Sequence, residues 1–256
     1  MASSDTQATF WDHLDVLRSC IIRSLLAVVI VAVVAFAMND ELFAVVLAPS
    51  SSEFVSYRLV DIAPFRLHLM NTGLTEQFMI HVRVALYTGL LGASPYILYV
   101  LFGFVSPGLY QNERKAATWV VSSAYLMFVV GTLVCYFIIF PLTVRFLGTY
   151  QVSPTVDNML TLQSYVDTLI SMCLVMGVVF ELPVVTAILS RMGLVNSTMM
   201  ARYRKHAVVV ILIVAAIITP TTDAFTLLVV ALPIWLLYEV SIMVIRPMKY
   251  SEQKQN

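Results

Sequence analysis

The chain alternates long apolar stretches with short polar segments, and this pattern predicts membrane-spanning helices. A helix needs roughly 20 apolar residues to cross the hydrocarbon core of a bilayer. Six stretches approach or reach that length, at about residues 21–38, 82–104, 116–140, 166–189, 207–218 and 225–245. The fifth is short, so we expect it to thin the bilayer locally or to stop below the far surface.

Composition supports the same interpretation. Of the 256 residues, 60% are hydrophobic and 12% are charged, whereas a soluble domain carries about 45–50% apolar and 25% charged residues. No soluble core could absorb this excess of apolar side chains. We therefore predict an all-α polytopic membrane protein with six transmembrane helices.

Basic residues are sorted onto one face of the membrane. With six spans, 11 of the 15 Lys and Arg residues lie on the side of the two termini, and the other four lie on the opposite side. The positive-inside rule then places both termini in the cytoplasm. The 11 residues are Arg18, Arg23, Arg114, Lys115, Arg191, Arg202, Arg204, Lys205, Arg246, Lys249 and Lys254.

This topology divides the chain into three parts. Residues 1–20 form a cytoplasmic N-terminal amphipathic helix, residues 21–245 a six-helix membrane domain, and residues 246–256 a cytoplasmic tail. The first extracytoplasmic loop, residues 39–77, forms a small loop domain.

Local patterns predict structure within that loop and bends in the spans. The loop should contain a short helix at Asp40–Leu47 and two short strands at Phe54–Val60 and Phe65–Met70. Proline removes a backbone hydrogen bond and tends to kink a helix. We expect bent helices that together form a concave wall, because prolines lie in or at the end of four spans, at positions 95, 141, 183 and 233.

Acidic residues inside apolar spans are candidate functional groups. Glu181 lies well inside the fourth span, where a charged side chain costs roughly 2.5–3.5 kcal/mol on insertion scales. The functional interpretation competes equally with a neutral carboxyl that is hydrogen-bonded to a neighbouring helix. Glu239 in the sixth span and Asp223 in the preceding turn are weaker candidates, and Asp223 is suited to capping the sixth helix.

Acids on the cytoplasmic face form a second group of candidates. Asp12 and Asp15 lie on the polar face of the N-terminal helix, and Glu113 lies in the basic loop after the second span. By charge pattern alone, the two aspartates are typical of a solvated helix face. Glu113 would by the same reasoning pair with Arg114 or Lys115, or begin the third helix.

Other chemistries find no support in the sequence. The net charge of +0 does not favour nucleic-acid binding. The three cysteines and four histidines show no metal-ligand spacing, and no hydrolase, metalloprotease or nucleotide-binding motif is present. We expect no enzymatic activity, no metal and no cofactor.

Several short motifs are spread along the chain from about Phe10 to Ile245. The densest are His13-Leu14 with Leu17-Arg18, Ala48-Pro49, Pro95 to Arg114 including Ser106-Pro107-Gly108-Leu109-Tyr110, Phe180-Glu181-Leu182-Pro183, Thr219-Pro220 with Asp223, and Leu237-Tyr238-Glu239. In their order and spacing, these motifs resemble the TatC family, the multispanning signal-peptide receptor of the twin-arginine protein translocase.

The resemblance implies a receptor for signal peptides that carry two consecutive arginines, on proteins exported in the folded state. One glutamate that binds the arginine pair in that family corresponds to Glu113, and Phe104 would contact the apolar part of the peptide. The other family glutamate falls on Val16, so we expect Asp15 or Asp12 to supply a displaced second acid.

The resemblance also implies partners and a location. The partners are single-span TatA/TatB-type subunits, with Glu181 on the wall that faces them, and membrane lipid; self-association in a larger complex is also expected. The location is the bacterial cytoplasmic membrane, where the proton gradient drives export. Arg18, Pro49, Pro107, Asp223 and Glu239 would have structural or secondary roles.

Two other classes compete with this interpretation. A small-solute or proton-coupled transporter would use Glu181, Glu239 and the proline kinks as its permeation path. An intramembrane enzyme would need a catalytic pair within the bilayer, which the sequence does not supply.

Overall fold

The computed structural model describes residues 10–59, 67–105, 114–150, 153, 159–219 and 223–252. Two short strands, β1 (Leu69–Met70) and β2 (Leu160–Thr161), pair in parallel, with Leu69 opposite Leu160. The helices of the described part are α1 (Phe10–Ala37), α2 (Asn39–Leu47), α3 (Val55–Leu59), α4 (Glu76–Val105), α5 (Arg114–Val134), α6 (Phe140–Thr149), α7 (Leu162–Val179), α8 (Leu182–Arg191), α9 (Ser197–Arg202), α10 (Arg204–Ile218) and α11 (Ala224–Glu252).

The apolar pattern is realised as long helices, as predicted. Within the described residues, five segments are long and apolar enough to cross a membrane: Leu14–Ala37, Glu76–Leu101, Val120–Thr149, Leu162–Arg191 and Ala224–Ile245. The predicted short span at 207–218 lies within α10, which has 15 residues and is therefore about 22 Å long. Crossing by this helix, and hence the total of six spans, stays a prediction.

The chain forms two compact units. Unit 1 comprises Met1–Asn39 and Ala85–Tyr125, and unit 2 comprises Asp40–Val84 and Leu126–Asn256. In unit 1, α1 and α4 pack closely at Gly89, where an added Cβ would lie 2.7 Å from the carbonyl oxygen of Val28. Only glycine allows the two helix backbones to approach this closely.

The helical spans are irregular at two of the four positions where prolines suggest bends. The third span passes from α5 through a π-helical turn at Cys135–Ile139 into α6, which has Pro141 in its first turn. The fourth span breaks between α7 and α8, at Phe180 and Glu181. In contrast, α4 and α11 run through Pro95 and Pro233 as continuous helices.

The predicted helix at Asp40–Leu47 is confirmed by α2, whereas the predicted strand at Phe54–Val60 is wrong, because Val55–Leu59 forms α3. The reason is tertiary. Phe54 and Tyr57 are both buried, with 8% and 1% of their surface exposed, and a spacing of three places them on one helical face. Of the second predicted strand, Leu69–Met70 is confirmed as β1, and residues 60–66 lie outside the described part.

Candidate functional site

The N-terminal acids lie on α1, which continues without interruption into the first apolar span. Asp15 is exposed and forms no ion pair with another described side chain. Val16, the position of the missing family glutamate, is 50% exposed and lies about 100° around the helix from Asp15. The backbone of Asp12 is helical, but its side chain falls outside the described part.

Phe104 is half-buried in the last turn of α4 and belongs to unit 1, as does Asp15. Glu113 and Pro107 fall within residues 106–113, outside the described residues. The structure therefore describes two of the four predicted signal-peptide contacts with their side chains. Their grouping with Glu113 stays a prediction.

Glu181 lies at the break in the fourth span. Its backbone N–H donates to the carbonyl oxygen of Val178 at 3.1 Å, and its carbonyl oxygen accepts from Val185 at 2.9 Å. The side chain is half-buried, and its Oε1 atom is shielded from solvent without a hydrogen-bond partner among the described residues. The expected alternative, a carboxyl bonded to a neighbouring helix, is not seen in that part of the chain.

Glu239 is not an isolated acid within the sixth span. Its Oε2 atom lies 2.8 Å from Nη2 of Arg204, at the start of α10. A paired carboxylate of this kind holds α10 against α11. Asp223 has the geometry of an N-cap, because its Oδ1 accepts from the backbone N–H of Thr226 at 2.7 Å, at the start of α11.

Arg18 and Pro49 are the other predicted residues that the structure describes. Arg18 is exposed on α1. Pro49 is buried in a single 3₁₀ turn at Ala48–Ser50, and its carbonyl oxygen accepts a hydrogen bond from the hydroxyl of Tyr57 at 3.0 Å.

One ion pair was not predicted. Nη1 of Arg83 lies 2.9 and 2.8 Å from the two carboxylate oxygens of Asp167, which joins α4 to α7. The sequence contains a signal for this pair, because Arg83 and Asp167 carry opposite charges and each lies near the N-terminal end of a predicted span. No group of three or more potential metal ligands occurs among the described side chains.

The fold and these sites define a multi-pass helical membrane protein, with an exposed carboxylate at Asp15 on α1 and a half-buried carboxyl at Glu181 in a broken span. Comparison with known proteins makes this specific. Residues 12–233 match the family described as "Sec-independent protein translocase protein (TatC)", and the chain belongs to this TatC family.

Individual relatives agree along almost the whole length. The chain is 32% identical to the TatC protein of Carboxydothermus hydrogenoformans over 98% of this chain and 99% of that protein. It is 34% identical to the one from Desulforapulum autotrophicum, over 94% and 86%. A crystal structure of the twin-arginine translocase receptor TatC is similar with a TM-score of 0.77 and 30% identity, over 91% of this chain and 98% of that one.

Membership of this family decides between the classes that the sequence left open. TatC is a subunit of a protein translocase and not an enzyme, so the protein is a translocase component. A small-solute transporter is not favoured. The pairing of Glu239 with Arg204 also removes one of the acids on which that alternative relied.

Proposed function

We propose that this protein binds twin-arginine signal peptides of folded cargo proteins through carboxylates on its cytoplasmic face. The observation that carries the proposal is the likeness to the solved twin-arginine translocase receptor across 91% of the chain. The exposed carboxylate of Asp15, which forms no ion pair with another described side chain, supports it locally beside the exposed Val16.

The chemistry of the arginine pair explains why carboxylates suit this task. A guanidinium group stays protonated and presents five donors in a planar fork, which a carboxylate can accept side by side. The ammonium group of lysine has no such fork. We assign the main contact to Glu113 and a second contact to Asp15 or Asp12, with Phe104 beside the apolar part of the peptide.

The proposal includes an orientation. Six spans would place both termini and residue 113 in the cytoplasm of a bacterium, with the protein in the cytoplasmic membrane. The basic residues of the loops support this arrangement. Reporter fusions at residues 113 and 256 test it, and an extracytoplasmic signal at residue 113 would contradict it.

The proposal also includes partners. Single-span TatA/TatB-type subunits would bind near Glu181, whose half-buried carboxyl lacks a described partner, and the proton gradient would drive export. Several copies of the protein would assemble in one complex.

Site-specific crosslinking tests the receptor function directly. Photoreactive residues at positions 15, 16, 104 and 113 should crosslink to an Arg-Arg signal peptide and much less to its Lys-Lys version. Position 53, exposed in the first loop, serves as the control. Equal crosslinking of the two peptides would overturn the proposal.

A substitution tests the assignment of Glu113. Loss of a charge-assisted hydrogen bond worth about 1.5–3 kcal/mol weakens binding roughly 10- to 100-fold, so Glu113→Gln should abolish export of a twin-arginine substrate. Glu53→Gln makes the same change at an exposed site that is 4.0 Å from Arg58, and it should export normally. Normal export by a well-expressed Glu113→Gln variant would refute the assignment.

A further inference from the structure

A cleft of about 320 Å³ lies in unit 2, where α4 and α7 begin. Its polar wall is formed by Thr72, Thr75, Glu76, Arg83 and Gln163. Cavities of roughly 300–1,000 Å³ are the usual size for small-molecule sites. The volume therefore admits a ligand of the size of a polar headgroup.

The ion pair at this cleft lies about two helical turns into α4, at the start of the predicted second span. Arg83 is seven residues beyond the start of α4, or about 10 Å along the helix axis, and it lies within the apolar segment Glu76–Leu101. Its side chain and that of Asp167 are nevertheless 43% and 41% exposed. Charges at the edge of an apolar segment need polar neighbours in place of hydrocarbon.

Arg83 retains unused hydrogen-bond donors. Both of its described bonds to Asp167 come from Nη1. Its Nη2 and Nε groups make no hydrogen bond with any other described residue, which leaves three of the five N–H donors of a guanidinium for a ligand. A phosphate group is the typical partner of such a planar set of donors.

The charges of the cleft further restrict which phosphate-containing ligands it can bind. Glu76 has 9% of its surface exposed, and its Oε2 accepts from the backbone N–H groups of Thr72 and Gly73 at 2.9 and 2.7 Å. Its Oε1 is buried and bonds to no described residue. Two carboxylates against one guanidinium disfavour a purely anionic ligand and favour one that also carries an ammonium group.

The order of these groups along the helix matches a lipid. Glu76 lies at the start of α4, and Arg83 lies seven residues further along it. In an aminophospholipid, the ammonium group is outermost, the phosphate follows, and the acyl chains lie deepest. We propose that this cleft binds the headgroup of a zwitterionic aminophospholipid, with its phosphate on Arg83 and its ammonium group facing Glu76.

Native mass spectrometry of the full-length protein in detergent tests this site. The protein is offered equal amounts of phosphatidylethanolamine and phosphatidylglycerol. Wild type should retain the first in preference. Arg83→Lys keeps a positive charge beside Asp167 but lacks the fork, and it should retain about tenfold less phosphatidylethanolamine. Arg58→Lys, an exposed arginine outside the cleft, should behave as wild type.

A double variant and a displacement experiment complete the test. The double variant Arg83→Gln with Asp167→Asn replaces the ion pair by neutral side chains that can still hydrogen-bond, and it should lose the lipid preference while keeping its melting temperature. Inorganic phosphate and soluble phosphoethanolamine should displace the lipid poorly. Equal retention of both lipids by wild type, an unchanged preference in Arg83→Lys or in the double variant, or displacement by phosphate alone would overturn the proposal.

Discussion

The hydroxyl group of Tyr57 lies 3.0 Å from the carbonyl oxygen of Pro141, although 84 residues separate them in the chain. The same hydroxyl lies 3.0 Å from the carbonyl oxygen of Pro49. One side chain in α3 thus joins the loop after α2 to the first turn of α6. Because Tyr57 is only 1% exposed, water cannot readily replace its hydroxyl group as the hydrogen-bond donor to either carbonyl.

Tyr57→Phe should destabilise the protein without changing its fold. The substitution keeps the ring but removes the hydroxyl that donates to both buried carbonyl groups, at a cost of about 1–3 kcal/mol. A fall of several degrees in the melting temperature in detergent, followed by tryptophan fluorescence, would show this. Tyr99→Phe removes a hydroxyl from a side chain that is 66% exposed, and it should leave the melting temperature unchanged. Equal melting temperatures for the two variants would contradict the proposed role of the hydroxyl.

The same residue predicts a dependence on pH. Burial raises the pKa of Tyr57 above its ordinary value of 10.0, so the folded protein keeps this proton when the unfolded chain has released it. The contribution of Tyr57 to stability is thus complete below pH 10 and is lost as the pH rises further. The stability difference between wild type and Tyr57→Phe should therefore narrow above pH 10. Denaturation at pH 8 and pH 11 measures it, and a constant difference would count against this assignment.

Gly131 marks a close contact between α5 and α7. An added Cβ would lie 2.7 Å from the carbonyl oxygen of Met176 and 2.7 Å from Cβ of Phe180. Neither the backbone oxygen nor a Cβ can move aside without shifting a helix, so Gly131→Ala should cost about 1–3 kcal/mol. Gly103, in the last turns of α4, has no atom within 4 Å of an added Cβ. Gly103→Ala should be neutral or slightly stabilising in the same melting assay, and similar losses in both variants would show that crowding is not the cause.

The sequence alone predicts the helical framework well, because span length depends on bilayer thickness and not on tertiary contacts. It fails at α3, where an apparent alternation of apolar residues suggested a strand. The helix depends on the burial of Phe54 and Tyr57 and on the bonds from Tyr57 to two prolines, one of them 84 residues away in the chain. A local pattern contains no information on such partners.

The candidate sites divide in the same way. Glu181 is recognisable from the sequence because an acid within an apolar span is costly wherever it points. Glu239 satisfies the same criterion, but its partner Arg204 is 35 residues away in the chain, across the turn between α10 and α11. Whether an intramembrane acid is paired or open is decided by helix packing, which the sequence does not display.

Val16→Glu should preserve or strengthen signal-peptide binding. Val16 is 50% exposed, so a glutamate can replace it without loss of buried apolar surface, and the new carboxylate would lie at the position of the family glutamate. The affinity for an Arg-Arg peptide, measured by fluorescence anisotropy with purified protein, should rise or stay equal. A further variant, Val16→Glu with Asp15→Asn, should still bind if the two acids are alternatives.

Val16→Gln is the matched control, because it has the same shape as the glutamate without the charge, and its affinity should be that of wild type. A clear loss of affinity in Val16→Glu but not in Val16→Gln would show that this face of α1 does not meet the arginine pair.

Glu181 and Glu239 should respond oppositely to the same substitution. The Oε1 atom of Glu181 has no partner among the described residues, so Glu181→Gln removes an acidic group that the described part of the chain does not bind. Export and copurification of the single-span partner subunits should fall, and the melting temperature should hold. In the wild-type protein, the guanidinium group of Arg204 lies 2.8 Å from the carboxylate of Glu239. Glu239→Gln removes this counter-ion, so we expect a lower melting temperature. If Glu181→Gln lowers the melting temperature as much as Glu239→Gln does, the carboxyl of Glu181 serves folding and not partner binding.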